Sequence, residues 1–496
     1  MKLKQIADLF MVKRTIGNME IKIKGIQMDS RKIEKGDLFI CVPAIEGFLE
    51  DRHLYAADAV KKGAVALIVE RDVPIDVPKI VVKDARKAMA MIASHYYDHP
   101  SKAMRLIGIT GTNGKTTTSY IIEKILADND FKTGLMGNTG VKINHNWYST
   151  DINTQEPPTL QKNLRTMKEC QTDYCMMEVT SQGLDMGRVS GCHFRTAVFT
   201  NLTQDHLDYH GTVEKYRETK GLFFSRLGHT YQPNESKFAV LNADDPSFDF
   251  FKKQTTVEII TYGIDNEADV MAKDIVMTLN GVEFKLVSFK GEIEISLQIV
   301  GRFNVYNALA GIAAALIEDI SLENIRDSLY DMRPIGGRME AVDEGQDFLV
   351  LVDYAHTPDA LENVLQSISE FCQRNIITVF GCGGDRDVSK RPLMGEIAGN
   401  YSDVVIVTSD NPRTEDPEKI VRDIEKGIAK SNVTNYQLVV NREDAIQQAI
   451  SMAAPNDVIL IAGKGSETYQ LINGTKFPFD DRDVARKSIG FSMVMN

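Results

Sequence analysis

Cysteine is scarce in this chain, with six residues among 496, and no two cysteines have the Cys-x-x-Cys spacing of a zinc site. Neither a structural zinc site nor a disulfide framework is predicted, and a reducing compartment fits best. No apolar run approaches the 18 residues of a membrane-spanning helix, and the N-terminal MKLKQIADLFMVKR lacks the apolar core of a signal peptide. We therefore expect a cytoplasmic protein with no membrane partner.

Positive charge is also in deficit. Lys and Arg total 57 against 69 Asp and Glu, a net charge of -12. A chain this acidic is not expected to bind nucleic acid or an anionic membrane surface. Its 43% hydrophobic and 25% charged residues are ordinary for globular proteins. At roughly 100 to 200 residues per domain, the length allows about three domains, and we expect a monomer.

The most informative stretch is RLIGITGTNGKTTTSY, residues 105–120. A short apolar run leads into a glycine-marked loop and then into the helical pattern YIIEKILAD, an order that places unpaired N–H groups around a phosphate chain. Gly111 and Gly114 allow positive φ, Lys115 supplies a cation for the β- and γ-phosphates, and the Thr116 hydroxyl can bind magnesium. Ile109 stands where the common P-loop has a glycine, so this loop is a variant. It predicts binding of a nucleoside triphosphate.

Secondary-structure patterns divide the chain into three units, all of the α/β class. Residues 1–103 alternate short strands and helices, and residues 104–333 continue from the phosphate loop as a doubly wound sheet. Within the second unit, TLNGVEFKLVSFKGEIEISLQI predicts antiparallel hairpins, and an Ala-rich helix follows GRFN. Residues 334–496 again alternate strands and helices.

Polar residues follow two apolar runs of the central unit. Glu178 ends the run YCMME, the position of a magnesium-binding carboxylate in P-loop enzymes. Asp205 and His206 come shortly after the run TAVF, and Lys220 lies on the next predicted helix. Each of these residue types alone is more often a solvated or structural side chain, so only their convergence favours a site.

The third unit has three polar loops at strand ends, where parallel sheets form binding crevices. They contain Asp385-Arg386, Asp410 to Arg413, and Gly463 to Glu467. Arginines beside carboxylates would suit a small zwitterion, because guanidinium pairs with carboxylate and carboxylate with ammonium. A rim of solvated charges is the alternative that spacing leaves open.

Nine motifs occur in a fixed order: GTNGKTTT, MEVTSQGL, FTNLTQDHLDYHG, GRFN, GGRME, VDYAHTPDAL, GGDRD, DNPRTEDP and AGKGSETYQ. With them the chain resembles the Mur ligases of peptidoglycan synthesis, most closely the MurE type, over essentially its whole length. The resemblance implies a three-domain Mur ligase architecture with a central P-loop doubly wound sheet and a C-terminal Rossmann-like domain. These domains would bind the UDP-linked substrate (1–103), ATP (104–333) and the amino acid (334–496).

The resemblance also implies a reaction. The γ-carboxyl group of D-Glu in UDP-MurNAc-L-Ala-D-Glu would take the γ-phosphoryl group of ATP, and the amine of meso-diaminopimelate would attack the acyl phosphate. The implied cofactors are ATP and Mg²⁺, with a carbamylated Lys220, since carbon dioxide added to a neutral amine gives the metal an oxygen ligand. The catalytic residues implied are Lys115, Glu178, His206 and Lys220, and the metal ligands are Thr116, Glu178, His206 and the carbamate of Lys220.

Binding residues also follow from the motifs. For ATP they are Gly111, Thr112, Asn113, Gly114, Lys115, Thr116, Thr117, Asn304, Arg338 and Asp353. For the UDP-linked substrate they are Ser30, Thr154, Gln155, Thr180 and Arg188. For the amino acid they are Arg386, Asp410, Asn411, Arg413, Gly463 and Glu467. The arginine of DNPR marks diaminopimelate over lysine, because a guanidinium pairs with the distal carboxylate that lysine lacks.

The chain departs from the family pattern mainly on the acceptor side. The residues that differ from the family motifs are Gln155, Thr180, Gln182, Met186 and Ser466. In addition, the chain has Asp51-Arg52-His53 where the family commonly has the sequence Asp-Gly-His. A divergent ligase that uses another acceptor or L-lysine is therefore an alternative. A folylpolyglutamate-synthase-like ligase would not need the N-terminal domain or DNPR, a P-loop kinase would not need the third unit, and a non-catalytic nucleotide-binding protein would be expected to lose at least one catalytic residue.

Overall fold

The structure, a computed structural model, describes residues 1–150, 152–228, 236–278, 281–333 and 335–495. Pro334 and Asn496, the predicted first and last residues of the third domain, lie outside the described residues. The chain divides into two compact units. The first unit consists of Met1–Gly108, Phe131–Ala197 and Ser225–Lys237, and the second unit consists of Ile109–Asp130, Val198–Phe224 and Phe238–Asn496. The three domain ranges given above remain predictions.

Helices and strands alternate along most of the described chain. The α-helices are α1 (Leu3–Ala7), α2 (Ala56–Lys62), α3 (Ala85–Tyr96), α4 (Lys115–Asp128), α5 (Pro157–Glu169), α6 (Ser181–Asp185), α7 (Leu207–His210), α8 (Val213–Ser225), α9 (Phe248–Gln254), α10 (Arg302–Ile317), α11 (Leu322–Tyr330), α12 (Pro358–Ser369), α13 (Lys390–Tyr401), α14 (Pro417–Ile428), α15 (Arg442–Met452) and α16 (Asp481–Met495). Over the residues described, no helix is both long and apolar enough to cross a bilayer.

The strands are mostly short. They are β1 (Arg14–Ile16), β2 (Gly25–Gln27), β3 (Asp37–Ile40), β4 (Ala66–Val69), β5 (Lys79–Val81), β6 (Arg105–Thr110), β7 (Thr133–Gly137), β8 (Gly140–Ile143), β9 (Asn146–Tyr148), β10 (Tyr174–Glu178), β11 (Phe194–Phe199), β12 (Phe238–Asn242), β13 (Glu258–Gly263), β14 (Val270–Thr278), β15 (Gly281–Ser288), β16 (Gly291–Leu297), β17 (Glu340–Val342), β18 (Leu349–Asp353), β19 (Ile376–Phe380), β20 (Val404–Val407), β21 (Tyr436–Leu438), β22 (Val458–Ala462), β23 (Tyr469–Ile472) and β24 (Thr475–Pro478).

The first unit contains a five-stranded sheet in the order β1-β5-β4-β3-β2. Strands β2 to β5 are parallel, and β1 pairs antiparallel with β5 at one edge. Every residue of β3 and β4 is buried, as expected for parallel strands that are covered on both faces. Helix α3 packs on this sheet through Met89 and Ile92, and the Asp84 side chain caps its N-terminus.

A second group of strands in the first unit leads to the predicted acceptor residues. Strand β10 runs parallel to β7, which continues through β8 and β9 as an antiparallel meander. Helix α5 begins with Pro157 and Pro158, where proline is favoured because the first helical N–H groups have no partner within the helix. Strand β10 is buried throughout and ends at Glu178.

In the second unit, strands β12, β13 and β14 are parallel, and β14, β15 and β16 are antiparallel. The predicted antiparallel hairpins are thus confirmed. The predicted Ala-rich helix is α10, which is buried on nearly all sides and lies close to α4. A Cβ atom at Gly311 would come within 2.4 Å of the Ile121 side chain, so the two helices approach as closely as glycine permits.

The C-terminal part of the second unit is a six-stranded sheet in the order β17-β18-β22-β19-β20-β21. Only β17 is antiparallel to its neighbour; the other pairs are parallel. Buried side chains of α12, α13 and α14 pack with Leu351 and Leu460, and those of α15 and α16 pack with Val350 and Ile459. Helices therefore cover both faces, which confirms the Rossmann-like arrangement.

Candidate functional site

The phosphate loop connects β6 to α4 as predicted. Gly111 and Gly114 have φ of 152° and 82°, in the region that favours glycine. A Cβ at Gly111 would lie 1.9 Å from the Thr200 hydroxyl oxygen, and one at Gly114 would lie 2.2 Å from Oδ1 of Asn307. Backbone conformation and close packing therefore both require glycine at these two positions, and the loop packs directly against neighbouring side chains.

Two lysines meet at the first of these glycines. Lys115 Nζ donates hydrogen bonds to the carbonyl oxygens of Gly111 (2.9 Å) and Thr112 (2.7 Å), and Lys220 Nζ donates to the Gly111 oxygen (2.8 Å). Lys220 is 1% exposed on α8. Burial, reinforced by the charge of Lys115, lowers the pKa of Lys220 well below its usual value. The Lys220 side chain therefore has an enlarged fraction of neutral amine.

Asp205 and His206 lie beside these lysines. The two side chains are 3.4 Å apart between Oδ2 and Nε2. Burial alone would raise the pKa of Asp205, but His206, His356 and Lys390 together lower it to about 2. Burial lowers the pKa of His206 to about 4, against the opposing effect of Asp205. At neutral pH the pair is therefore a carboxylate and a neutral imidazole, and both side chains have lone pairs that can bind a metal ion.

Asn113 connects the phosphate loop to two other segments of the second unit. Its backbone oxygen accepts from Thr200 Oγ1 (2.6 Å), and its backbone N–H donates to Asn201 Oδ1 (2.9 Å). Its side-chain Nδ2 donates to Asp359 Oδ2 (2.7 Å) in the first turn of α12. The N-terminus of α12, which lies within the motif VDYAHTPDAL, is thereby held at the phosphate loop.

Thr117 is buried in the first turn of α4, and the three predicted ATP residues outside the phosphate loop have partners within the protein. Arg338 Nη2 donates to the phosphate-loop hydroxyl of Thr116 (3.3 Å), and its guanidinium stacks 4.4 Å from the Tyr354 ring centroid. Asn304 donates through Nδ2 to the Val300 oxygen (2.8 Å). Asp353 accepts from the N–H groups of Met339 and Ala355 (both 2.8 Å), and burial raises its pKa. Of the three, the structure brings Arg338 into direct contact with the phosphate loop.

The amino-acid residues predicted from the third unit lie on adjoining loops. Asn411 Nδ2 donates to Glu467 Oε2 (2.8 Å), which joins the loops after β20 and β22. A Cβ at Gly463 would lie 2.6 Å from Asp410 Oδ2, so the Asp410 carboxylate lies directly over that glycine. A Cβ at Gly383 would lie 2.8 Å from Arg413 Nη1 and 3.9 Å from Arg386 Cγ, so the two arginine side chains approach the same glycine. Burial, with a further contribution from the charge of Arg413, lowers the pKa of Arg386. These loops therefore adjoin one another, and their role in binding an amino acid remains a prediction.

The backbone of Arg413 is held by the hairpin β23–β24. Its φ is 53°, unusual for a residue with a side chain, its N–H donates to the Leu471 oxygen (3.0 Å), and its oxygen accepts from the Asn473 N–H (2.7 Å). The guanidinium donates to the Gly384 oxygen (2.6 Å) on the loop that carries Arg386. Such strain at a predicted recognition residue is typical of functional sites.

In the first unit, three of the predicted acceptor residues cluster together. Thr154 Oγ1 donates to the Glu178 oxygen (2.9 Å) and lies 3.0 Å from Thr180 Oγ1. The Arg188 guanidinium donates to Glu156 Oε1 through Nε (2.8 Å) and to the Thr154 oxygen through Nη1 (3.2 Å). The positive charge of Arg188 is therefore already paired with a carboxylate.

The other predicted residues of the first unit, Gln155, Ser30 and Glu178, are all buried. Gln155 is buried and accepts from Asn163 Nδ2 (2.7 Å). Ser30 is buried and begins the 3-10 helix Ser30–Lys32. Glu178 is 1% exposed, and its Oε1 accepts from the Asn138 N–H (3.1 Å). The role of Glu178 together with Lys115, His206 and Lys220 remains a prediction.

The second-unit residues fit a magnesium site only with a modified Lys220. Among the described residues, no three His, Cys, Asp or Glu side chains are arranged to hold a metal ion. An ammonium group cannot bind Mg²⁺, which prefers oxygen ligands. A carbamate on Lys220 would supply that oxygen beside the phosphate loop, which also carries the Thr116 hydroxyl. These two oxygen donors suit Mg²⁺, whereas the His206 imidazole offers a nitrogen, which this ion does not prefer.

Sequence reasoning did not single out two residues that contact the predicted site residues. Asp359 receives the Asn113 amide, and Lys464 is a buried lysine bonded to Asn411 and Glu467. Both lie within the motifs quoted above, but a motif does not reveal which of its charged side chains points inward. The 246 positions between Asn113 and Asp359 also place this contact beyond any local pattern.

Comparisons with known proteins agree with this architecture. Three family models match the chain. The model described as “Mur ligase family, catalytic domain” matches residues 22–97, and the one described as “Mur ligase middle domain” matches residues 109–315. The model described as “Mur ligase, glutamate ligase domain” matches residues 337–465. Fold and site together define an ATP-dependent acid–amino-acid ligase. The chain belongs to the Mur ligase family, with the three-domain α/β architecture of that family.

Individual relatives match nearly the whole chain. A UDP-N-acetylmuramoyl-L-alanyl-D-glutamate--2,6-diaminopimelate ligase of Geobacillus kaustophilus is 48% identical over 467 residues, 94% of this chain and 95% of the relative. A solved structure of a ligase with the same name has a TM-score of 0.68 at 34% identity and covers 99% of each chain. MurF of Thermotoga maritima in complex with ADP matches with a TM-score of 0.64 over 95% of this chain and 96% of its own; at 18% identity this likeness shows the fold alone.

Proposed function

We propose that this chain joins meso-diaminopimelate to UDP-MurNAc-L-Ala-D-Glu with consumption of ATP, in the synthesis of peptidoglycan precursors. The relatives at 34% and 48% identity that carry this activity in their names support the proposal. The observation that carries it is that the side chains of Arg386 and Arg413 both approach Gly383 on the rim, where an added Cβ would lie 3.9 Å from Arg386 Cγ and 2.8 Å from Arg413 Nη1. Two guanidinium groups suit an amino acid that brings two carboxylates, because a single carboxylate would give a bidentate charge partner to only one of them.

In the proposed reaction, an oxygen of the D-Glu γ-carboxylate attacks the γ-phosphorus of ATP, and ADP leaves. The amine of diaminopimelate then attacks the carbonyl carbon of the acyl phosphate, loses a proton, and phosphate leaves. Lys115 and the N–H groups of the phosphate loop stabilise negative charge during the first step. The ATP contacts in this proposal are Gly111, Thr112, Asn113, Gly114, Lys115, Thr116, Thr117, Asn304, Arg338 and Asp353.

The proposed metal ligands are Thr116, Glu178, His206 and a carbamate on Lys220. The carbamate forms when the neutral Nζ attacks the carbon of carbon dioxide and loses a proton. The burial of Lys220 and its position beside the phosphate loop support this assignment. When bound, Mg²⁺ would supply positive charge for the phosphate oxygens.

The proposed amino-acid pocket consists of Arg386, Asp410, Asn411, Arg413, Gly463 and Glu467. The proposed acceptor residues are Ser30, Thr154, Gln155, Thr180 and Arg188. A second candidate function is a ligase of the same chemistry with a different acyl acceptor. It is favoured by the pairing of Arg188 with Glu156, which leaves less positive charge for an acidic acceptor. The proposal also includes a cytoplasmic monomer without nucleic-acid or membrane partners.

The test is ADP release by the purified enzyme with ATP, Mg²⁺ and UDP-MurNAc-L-Ala-D-Glu, with diaminopimelate, L-lysine and ornithine compared as amino acids. Release with diaminopimelate, and little with the other two, is expected. Equal release with lysine would contradict the amino-acid assignment. No release with any of the three would favour the second candidate, which a panel of other UDP-linked acceptors then tests.

A further inference from the structure

Lys464 is a lysine with no exposed surface in the loop after β22. The glycines on either side of it have positive φ, 116° at Gly463 and 53° at Gly465. A Cβ at Gly465 would lie 2.6 Å from the Gly337 oxygen, so the loop is packed closely against the segment that carries the GGRME motif. Because a buried ammonium group is costly unless it is paired, its partners show what the position requires.

Its hydrogen-bonding partners are two residues of the proposed amino-acid pocket, and the Tyr469 ring centroid lies 5.6 Å from its Nζ. Lys464 Nζ donates to Glu467 Oε2 (3.0 Å) and to Asn411 Oδ1 (3.2 Å). Asn411 Nδ2 also donates to Glu467 Oε2 (2.8 Å), and Asn411 Oδ1 accepts from the Leu471 N–H (2.8 Å). The three side chains close a ring, and the bond from Leu471 fixes which way the Asn411 amide points.

This ring uses the two oxygens of Glu467 unequally. Oε2 receives both Lys464 and Asn411, and within the described part of the chain Oε1 receives no hydrogen bond. The Glu467 side chain remains 22% exposed, whereas Lys464 is fully enclosed behind it. One carboxylate oxygen is thus fixed by the protein, and the other is left for a ligand.

We propose that Lys464 is a positioning residue that fixes Glu467 so that a single oxygen, Oε1, receives an ammonium group of the incoming amino acid. The inference rests on the proposed function and adds to it a residue that does not touch the substrate. Lys464 also compensates part of the negative charge of Glu467, so the carboxylate has less tendency to pair with the rim arginines. Those guanidinium groups then remain available for the carboxylates of the substrate.

A purely structural lysine would have a different signature. Loss of a structural residue would loosen the loop and affect every substrate, including ATP, whereas loss of a residue that acts through Glu467 should affect the amino acid. The two roles also differ in additivity. If Lys464 acts through Glu467, replacing it has little further effect once the Glu467 carboxylate is gone, because residues that act as one unit are not additive.

The experiment is a double-mutant cycle with Lys464→Met, Glu467→Gln and the double variant, measured as KM for diaminopimelate and for ATP. We expect Lys464→Met to raise the KM for diaminopimelate by roughly tenfold or more and to leave the KM for ATP within about twofold, as one lost charged contact of 1.4 kcal/mol would do. In the Glu467→Gln background the same change should add less than about twofold. Lys430→Met, at an exposed lysine of the same sheet domain, is the matched control.

Equal increases in both KM values, or effects that multiply in the double variant, would overturn the proposal. If Lys464→Met does not fold, Lys464→Gln replaces it, since glutamine keeps a donor for Oε2 but removes the charge. That variant should still raise the KM for diaminopimelate selectively, and an unchanged KM would likewise overturn the proposal. A wild-type enzyme without activity on diaminopimelate is a failure of the proposed function, seen before any variant is made, and it removes the basis of the inference.

Discussion

Lys115 and Lys220 donate hydrogen bonds to the same carbonyl oxygen, that of Gly111, at 2.9 and 2.8 Å. Two ammonium groups at one oxygen repel each other, and this repulsion adds to burial in lowering the pKa of Lys220. Conversion of Lys220 to a carbamate would turn that repulsion into attraction. The contact thus connects the proposed modification of Lys220 with the charge of the phosphate loop.

The first prediction concerns Lys220. We expect Lys220→Ala to abolish ligation, because the proposed carbamate oxygen for the metal is lost. Bicarbonate should not restore activity, whereas short carboxylic acids should restore part of it by placing an oxygen ligand in the space that the side chain vacates. Phosphate release with and without acetate or propionate measures this. Near-normal turnover of Lys220→Ala would exclude the carbamate.

The second prediction concerns Lys115. Lys115→Ala should lower turnover by roughly a hundredfold or more, since it removes one preorganised cation from charge that grows during phosphoryl transfer. Lys124→Ala on the same helix removes a lysine that pairs with Asp128, and it serves as the control. A loss of less than about tenfold in kcat, or 1.4 kcal/mol, would show that Lys115 does not face the γ-phosphate.

The third prediction concerns stability. Arg442 and Asp481 form a bidentate ion pair, 2.7 and 2.8 Å, with both side chains fully buried. Arg442→Met should lower the free energy of unfolding by about 3 to 5 kcal/mol, because it leaves the Asp481 carboxylate buried without a counter-charge. The double variant Arg442→Met, Asp481→Leu should recover most of that loss. Denaturant midpoints measure both, and a double variant no more stable than the single one would contradict this account.

The sequence predicts the phosphate loop because its chemistry is local. Gly111, Gly114 and Lys115 lie within five positions, and the structure shows the backbone and contacts that their identities imply. The order of the nine motifs likewise predicted the family. The roles of Lys464 and Asp359 could not be read in this way, because burial and a partner far along the chain decide them. Composition and motif spacing do not determine which charged side chain is buried in the folded protein.

The final prediction concerns selection of the amino acid by Arg413. Diaminopimelate and lysine share an α-amino acid group and a side-chain amine, so only the distal carboxylate distinguishes them. Arg413 is half-buried, its guanidinium and the Arg386 side chain both approach Gly383, and its backbone is hydrogen-bonded to Leu471 and Asn473. A guanidinium held this firmly needs little ordering when the substrate carboxylate binds.

Arg413→Ala should therefore raise the KM for diaminopimelate by roughly tenfold to a thousandfold. Removing one partner of a fully buried charge pair costs about 2 to 5 kcal/mol of binding free energy, and the cost is smaller at this half-buried position. The KM for ATP should change little. Lysine should gain only modestly, since loss of a repulsive cation does not build a pocket for its ammonium group. Arg422→Ala, at an arginine on α14 whose side chain is 72% exposed, is the control. Unchanged KM values for both amino acids in Arg413→Ala would mean that the distal carboxylate is bound elsewhere.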